Sequence, residues 1–104
     1  MPQLHASIQF ATQSQLLPTK SQLRKWAKAA LRVDTEVTIR IVDEAEGRAL
    51  NSSYRNKDYA TNVLTFPLTE EPYLMGDIII CAPVVEKEAK EQGVLFSLHM
   101  KATM

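Results

Sequence analysis

Arg55 and Lys57 stand in a polar run, Arg55 to Ala60, that opens directly into the apolar stretch Asn62-Val63-Leu64-Thr65-Phe66. A guanidinium at the mouth of a sheet can turn its planar fork toward a phosphate while its stem rests on the strand. An ammonium two residues on adds a second, less directional contact. The chemistry open to this pair is the holding of a polyanion or of a reacting phosphate. Two plainer arrangements compete with it: Arg55 paired with Asp58 inside the loop, and Lys57 serving only to keep the loop solvated. Asp58, Thr61 and Asn62 carry the side chains that fix loops through bonds to nearby backbone. Gly76-Asp77 reads as turn chemistry at a strand entrance rather than as a catalytic carboxylate.

Metal chemistry needs convergent ligands, commonly two imidazoles one helical turn apart. The chain holds only His5 and His99, near opposite ends of the sequence, and no H-x-x-x-H spacing. Cys81, the single cysteine, closes an apolar strand and reads as a small buried hydrophobe. No metal ligand is therefore assigned, and no intramolecular disulfide is possible.

The elements that position the Arg55 loop follow from periodicity. Leu4 to Thr12 alternates loosely around Ile8 and Phe10 and predicts a first strand. Pro18 and Thr19 start a helix, Thr19 and Gln22 have capping-box spacing, and Leu23, Trp26, Ala27, Ala30 and Leu31 form one stripe. Lys20, Arg24, Lys25, Lys28 and Arg32 fill the rest of that helix, as phosphate contacts or as an ordinary solvated face. Thr35 to Val42 is the cleanest strand, with Val37, Ile39 and Ile41 on one side and Thr38 and Arg40 on the other. Asp43 and Glu46 then form a second N-cap pair, and Ala45, Ala49, Leu50 and Tyr54 an amphipathic helix face. With the strand from Asn62 to Phe66 this makes a strand–helix–strand crossover, right-handed if its strands are parallel. Thr69-Glu70-Glu71-Pro72 marks a turn, and Gly76 to Cys81, with three consecutive isoleucines, predicts a strand covered on both faces. Pro83 and Gly93 bracket a last helix whose apolar face is Val85 and Ala89, with Glu86 and Lys90 as a favourable surface pair. The fold class is α+β: a mixed four-stranded sheet with helices packed on it, a single domain over residues 1–93. Residues 94–104 form an atypical tail without a cap or sustained periodicity.

At 104 residues, 45% hydrophobic and 23% charged, the composition is that of one small globular domain. The formal charge is zero, which excludes a strong global field for nucleic acid. The distribution is uneven: residues 1–59 carry 9 Lys plus Arg against 6 Asp plus Glu, and residues 60–104 carry 3 against 6. The N-terminal half is the face for RNA, unless its excess only solvates a helix. No signal peptide or membrane-length apolar run is present, so a cytoplasmic protein without a membrane partner is expected.

Tyr54, Arg55, Lys57, Asp58, Thr61, Val63, Leu64, Phe66 and Pro67, followed by Gly76-Asp77-Ile78 and Ile80, resemble the YRxKDxxTxVLxFP and GDIxIx signatures of the YbeY-type endoribonucleases. The resemblance covers about residues 16–93. It implies single-strand-specific, metal-dependent RNA cleavage in rRNA 3′-end maturation and ribosome quality control, with zinc as the family metal. Implied partners are rRNA and the small ribosomal subunit, not DNA, in the bacterial cytoplasm. It also implies that Arg55 contacts the RNA phosphate or supports the transition state, with Lys57 as a further RNA contact. The family's HGxLHxxGxDH metal motif has no counterpart here, and Leu98-His99-Met100 is only superficially similar to a fragment of it. No cofactor is therefore expected for this chain, which lacks the family's C-terminal metal-binding helix. The expectation is an inactive polypeptide whose family reading frame is lost after Gly93, by a frameshift, a premature stop or a chosen boundary. The alternative is a noncatalytic module binding rRNA or a ribosomal protein through the basic helix and the Arg55 loop.

Overall fold

The structure is a computed structural model describing residues 3–14, 17–29, 33–69 and 73–93. The chain runs β1 (Leu4–Ala11), α1 (Lys20–Ala29), β2 (Thr35–Val42), α2 (Glu44–Arg55), β3 (Val63–Thr69), β4 (Leu74–Cys81) and α3 (Ala82–Gln92). The four strands form one mixed sheet in the order β1-β2-β4-β3. β1 and β4 both run parallel to β2, in register from Leu4↔Thr35 to Ala11↔Val42 and from Thr35↔Leu74 to Val42↔Cys81. β3 lies antiparallel along β4. The α+β class and the four-stranded mixed sheet are thus as the periodicity predicts.

The crossover is arranged differently from the sequence expectation. β3 does not pair with β2, because β4 inserts between them, parallel to β2. β4 thus takes the centre of the sheet beside β2, and β3 its edge.

Alternation divides the core into two layers. Ile8, Val37, Ile39, Ile41 and Ile80 meet Leu23 of α1 and Ala82 and Val85 of α3 on one face. Val42, Leu64, Ile79 and Cys81 form the other, with Leu50 of α2 and Val84 packed against them. Ile79 and Ile80 are buried on opposite faces, as expected for a strand covered on both sides, whereas Ile78 is only half-buried. Cys81 is buried, and burial pushes its thiol up, so it is a neutral filler.

Local signals set the helix ends. The Thr19 N–H donates to Gln22 Oε1 at 2.9 Å and the Gln22 N–H to Thr19 Oγ1 at 3.1 Å, a reciprocal capping box. Leu23 is buried and Trp26 and Ala27 are partly buried, while Ala30, Leu31 and Arg32 lie outside the described residues. α3 opens with Pro83 in its first turn and closes on Gly93, whose φ of 68° glycine adopts without strain.

Three expectations need correction. Asp43 occupies the N-cap of α2 but makes no side-chain cap bond. Its carboxylate instead accepts from Thr12 Oγ1 and from the Gln13 N–H, the latter at 3.0 Å. Glu46 is taken by Arg40, Nε to Oε2 at 2.6 Å and Nη2 to Oε1 at 2.9 Å, a bidentate pair stronger than a neutral backbone bond. The inward face of α2 is Gly47, Leu50 and Asn51, whereas Ala45, Ala49 and Tyr54 are exposed. Gly76 and Asp77 lie inside β4, not in a turn. A Cβ on Gly76 would stand 2.7 Å from the Phe66 carbonyl oxygen and 3.1 Å from Pro67 Cα, so glycine permits the β3 backbone its close approach beside the irregularity at Pro67/Thr69.

Arg40 holds the Glu46 carboxyl below its usual range, chiefly through their hydrogen bond. A depressed carboxylate pKa adds stability above the unfolded value, 4.5 for this group, and that contribution disappears as pH falls through the folded value. Glu46→Gln is therefore expected to lower the urea midpoint at neutral pH and to approach the parent as acid protonates Glu46 in the folded chain, below the unfolded value of 4.5. A constant offset at every pH would contradict this account.

Candidate nucleic-acid interface

The Arg55 loop is built outward from the last turn of α2. Asn56 follows in the left-handed region, φ 56° and ψ 37°, which asparagine tolerates better than most residues. Its N–H donates to the Ser52 carbonyl at 3.1 Å and the Lys57 N–H to that of Asn51 at 3.4 Å, ending the helix and reversing the chain. Asn51, fully buried, then ties the loop down: its Nδ2 donates to the Tyr59 carbonyl at 2.7 Å. Its Oδ1 is buried without a partner among the described residues. Beyond the loop, the Asn62 carbonyl accepts from the Cys81 N–H at 2.9 Å and Asn62 Nδ2 donates to Glu88 Oε1 at 3.3 Å.

These contacts redistribute the loop's charges. Asp58 does not pair with Arg55. Arg48 Nε donates to Asp58 Oδ1 at 2.9 Å across the reversed chain, raising the arginine and lowering the aspartate, mainly through that bond. Both partners are largely exposed, so the pair orients the loop more than it stabilises the fold. Arg55 is exposed and has no hydrogen bond or ion pair among the described residues, and the Lys57 side chain is likewise exposed. Asn62 also departs from the expected side-chain-to-backbone role, since its amide reaches a carboxylate on α3.

Beside Arg55 lies a hollow of about 340 Å³ lined by Tyr54, Arg55, Val63, Leu64, Thr65 and Phe66. The rings of Tyr54 and Phe66 meet edge-to-face, centroids 4.9 Å apart at 62°. A guanidinium free of protein carboxylates at an aromatic hollow can take a phosphate on one side and a planar ring on the other.

The basic helix does not belong to this surface. α1 packs by Leu23, Trp26 and Ala27 beside β1, where Arg24 Nη2 reaches the Ala6 carbonyl at 3.5 Å and Lys20 lies over the Phe10 ring at 5.8 Å. Arg55 stands by β3, at the opposite edge of the sheet. Among the described residues, no three His, Cys, Asp or Glu side chains converge where an ion could sit. His5 is exposed on β1, and His99 lies outside the described residues. The described donors do not fit a catalytic metal.

Asn51 is the loop-positioning residue that the motif does not reveal. The available signal is an amide in line with Gly47 and beside Leu50, where the packed side of an amphipathic helix should be apolar.

A family model described as "Endoribonuclease YbeY" matches residues 7–104. The chain belongs to the endoribonuclease YbeY family. The match runs past Gly93, further than the signature residues alone reach. The endoribonuclease YbeY of Methylobacillus flagellatus is 64% identical over 99 residues, 95% of this chain and 66% of that protein. That of Thiobacillus denitrificans is 54% identical over 100 residues, 94% of this chain and 68% of that protein. The chain thus spans about two thirds of the length of these curated YbeY relatives. The solution structure of TM1509 from Thermotoga maritima shares the fold with a TM-score of 0.63 at 29% identity, over 91% of this chain and 63% of that one. No helix among the described residues is long and apolar enough to cross a membrane.

Asn51→Ala removes the amide that holds Tyr59. The variant is expected to lose about 1–3 kcal/mol of stability and to show faster hydrogen exchange at the loop amides of residues 57–62. Unchanged exchange there would assign the loop's order to the Arg48–Asp58 pair instead.

Proposed function

We propose that this chain presents the RNA-holding face of a single-strand-specific, metal-dependent endoribonuclease. The enzyme acts in rRNA 3′-end maturation and ribosome quality control, on the small ribosomal subunit, in the bacterial cytoplasm. Family membership supports the reaction class. The observation that carries the assignment to this surface is the charge pattern of three arginines. Arg40 is matched by Glu46 and Arg48 by Asp58, whereas Arg55 lines the aromatic hollow with no carboxylate paired to it among the described residues. A guanidinium in that state offers its full set of donors to a phosphodiester, and Lys57 adds a point charge on the same loop.

Zinc is the metal proposed for the family's chemistry, but the described residues hold no site for it, and hydrolysis is not assigned to them. In this reading the 104-residue polypeptide binds single-stranded RNA and does not turn it over. The same free guanidinium favours the alternative, a noncatalytic module on rRNA or a ribosomal protein. With α1 at the far edge of the sheet, that reading is carried by the Arg55 side alone.

Affinity for a short single-stranded RNA should fall with salt, and Arg55→Ala should weaken it and reduce the slope of log K against log salt by about 0.7, one phosphate's worth for a single strand. A variant with the parent's slope would remove Arg55 from the interface. Added zinc should produce no cleavage of the same RNA. Robust zinc-dependent turnover, or one tightly held zinc per chain by elemental analysis, would overturn the noncatalytic assignment.

A further inference from the structure

Tyr54 is 67% exposed, although it stands on the last turn of α2 and its ring meets that of Phe66. A tyrosine kept only for packing would bury its ring. In an edge-to-face pair, one ring directs its rim at the face of the other. If Phe66 supplies the rim, the opposite face of Tyr54 stays open. If Tyr54 supplies it, Phe66 covers neither face. Either geometry leaves at least one broad aromatic face uncovered by Phe66, while the contact still limits how far the ring can swing.

The ring's position is fixed from both sides. α2 rests on the sheet through Gly47 and Leu50, and Phe66 is half-buried on β3 in register with Asp77. Arg55 is the next residue along, and both side chains line the same hollow. An open ring and a free guanidinium, adjacent on the last turn of a helix, match the two parts of a nucleotide: a base with a flat face and a charged phosphate.

We infer that Tyr54 is a stacking platform for one unpaired base of the RNA whose phosphate Arg55 holds, and that it contributes the preference for single strands. The inference rests on the RNA-holding role proposed for Arg55 and adds the residue that reads the strand's state. Bases inside a duplex present their faces to one another and have none to offer the ring. Stacking is tolerant of base identity, so the site reads whether a base is unpaired rather than which base it is.

The test measures the affinity of the full chain for a short mixed-sequence single-stranded RNA, for an abasic strand of equal length, and for the duplex. Tyr54→Phe keeps the ring, and Tyr54→Leu keeps apolar bulk against Phe66 without an aromatic face. Tyr54→Leu is expected to weaken binding of the base-containing single strand by about 5- to 150-fold, the loss of one aromatic–base stack. It should leave the abasic strand and the duplex within about twofold, and Tyr54→Phe should bind like the parent. Arg55→Ala should weaken the base-containing and abasic strands alike. Equal losses for Tyr54→Leu on base-containing and abasic strands, or no loss on either, would overturn the stacking role. If Arg55→Ala still weakens both strands in that event, the phosphate-holding reading stands alone. If Arg55→Ala weakens neither, both assignments fall together.

Discussion

Where α2 crosses the sheet, a Cβ added to Gly47 would stand 3.1 Å from Cys81 Sγ and 3.7 Å from the Cβ of Ala60. Helix, strand and loop therefore meet at a point where only a hydrogen atom fits comfortably. That approach lets Leu50 reach the cluster of Val42, Leu64, Ile79 and Cys81 one turn later, and it brings Asn51 under the loop to take the Tyr59 carbonyl. Tyr54 and Arg55 then emerge on the last turn beside β3. The placement of the two side chains with chemistry is thus a consequence of apolar packing several residues earlier. Close-packed interiors transmit such constraints because their voids are too small to absorb a shift.

Electrostatics completes what packing starts. The chain is formally neutral, so it has no net charge to draw in RNA from a distance. What it has is local inequality. Arg40 is held by Glu46 and by the Gln9 amide at 2.9 Å, and Arg48 is held by Asp58. Arg48 and Arg55 are seven residues apart on α2, two helical turns, so they share a side of the helix but not a fate. The reversal at Asn56 delivers Asp58 back to Arg48 and carries it away from Arg55. A single left-handed residue therefore decides which guanidinium is neutralised.

The sequence makes β2 legible to the residue, because Val37, Ile39 and Ile41 alternate with polar neighbours and β-branched side chains suit a pleat. The ends of α1 and α3 are equally readable, since capping boxes and terminal glycines act within a few residues of chain. Long-range pairing is what stays hidden. Nothing local says that β4 will come between β2 and β3, or that Gly76 serves the backbone of Phe66 rather than a turn. Asp43 and Glu46 have the spacing of a cap, but Thr12, Gln13 and Arg40 are brought to them by the sheet and compete successfully. At the candidate interface the position of Arg55 is readable from the motif. Its lack of a carboxylate partner among the described residues is not, because Asp58 is equally available to Arg48 until the fold of the loop is known.

The polar end of the sheet bears on whether the proposed RNA contact and metal chemistry need the same arrangement of side chains. His5 and Glu36 are register neighbours on the face opposite α1, and Asp77 shares that face two strands from β1. With strands about 4.8 Å apart and residues rising about 3.3 Å each, His5 and Asp77 are separated by roughly 12 Å, far beyond what one ion can bridge. Among the described residues no third donor joins them, and no group of three His, Cys, Asp or Glu side chains converges. The same geometry suits RNA. Successive nucleotides are themselves spaced several ångströms apart, so a helix end that offers one ring and one guanidinium needs no convergence to engage a base and a phosphate. Binding here asks for adjacency, which the last turn of α2 supplies, and metal chemistry asks for convergence, which the described strands do not.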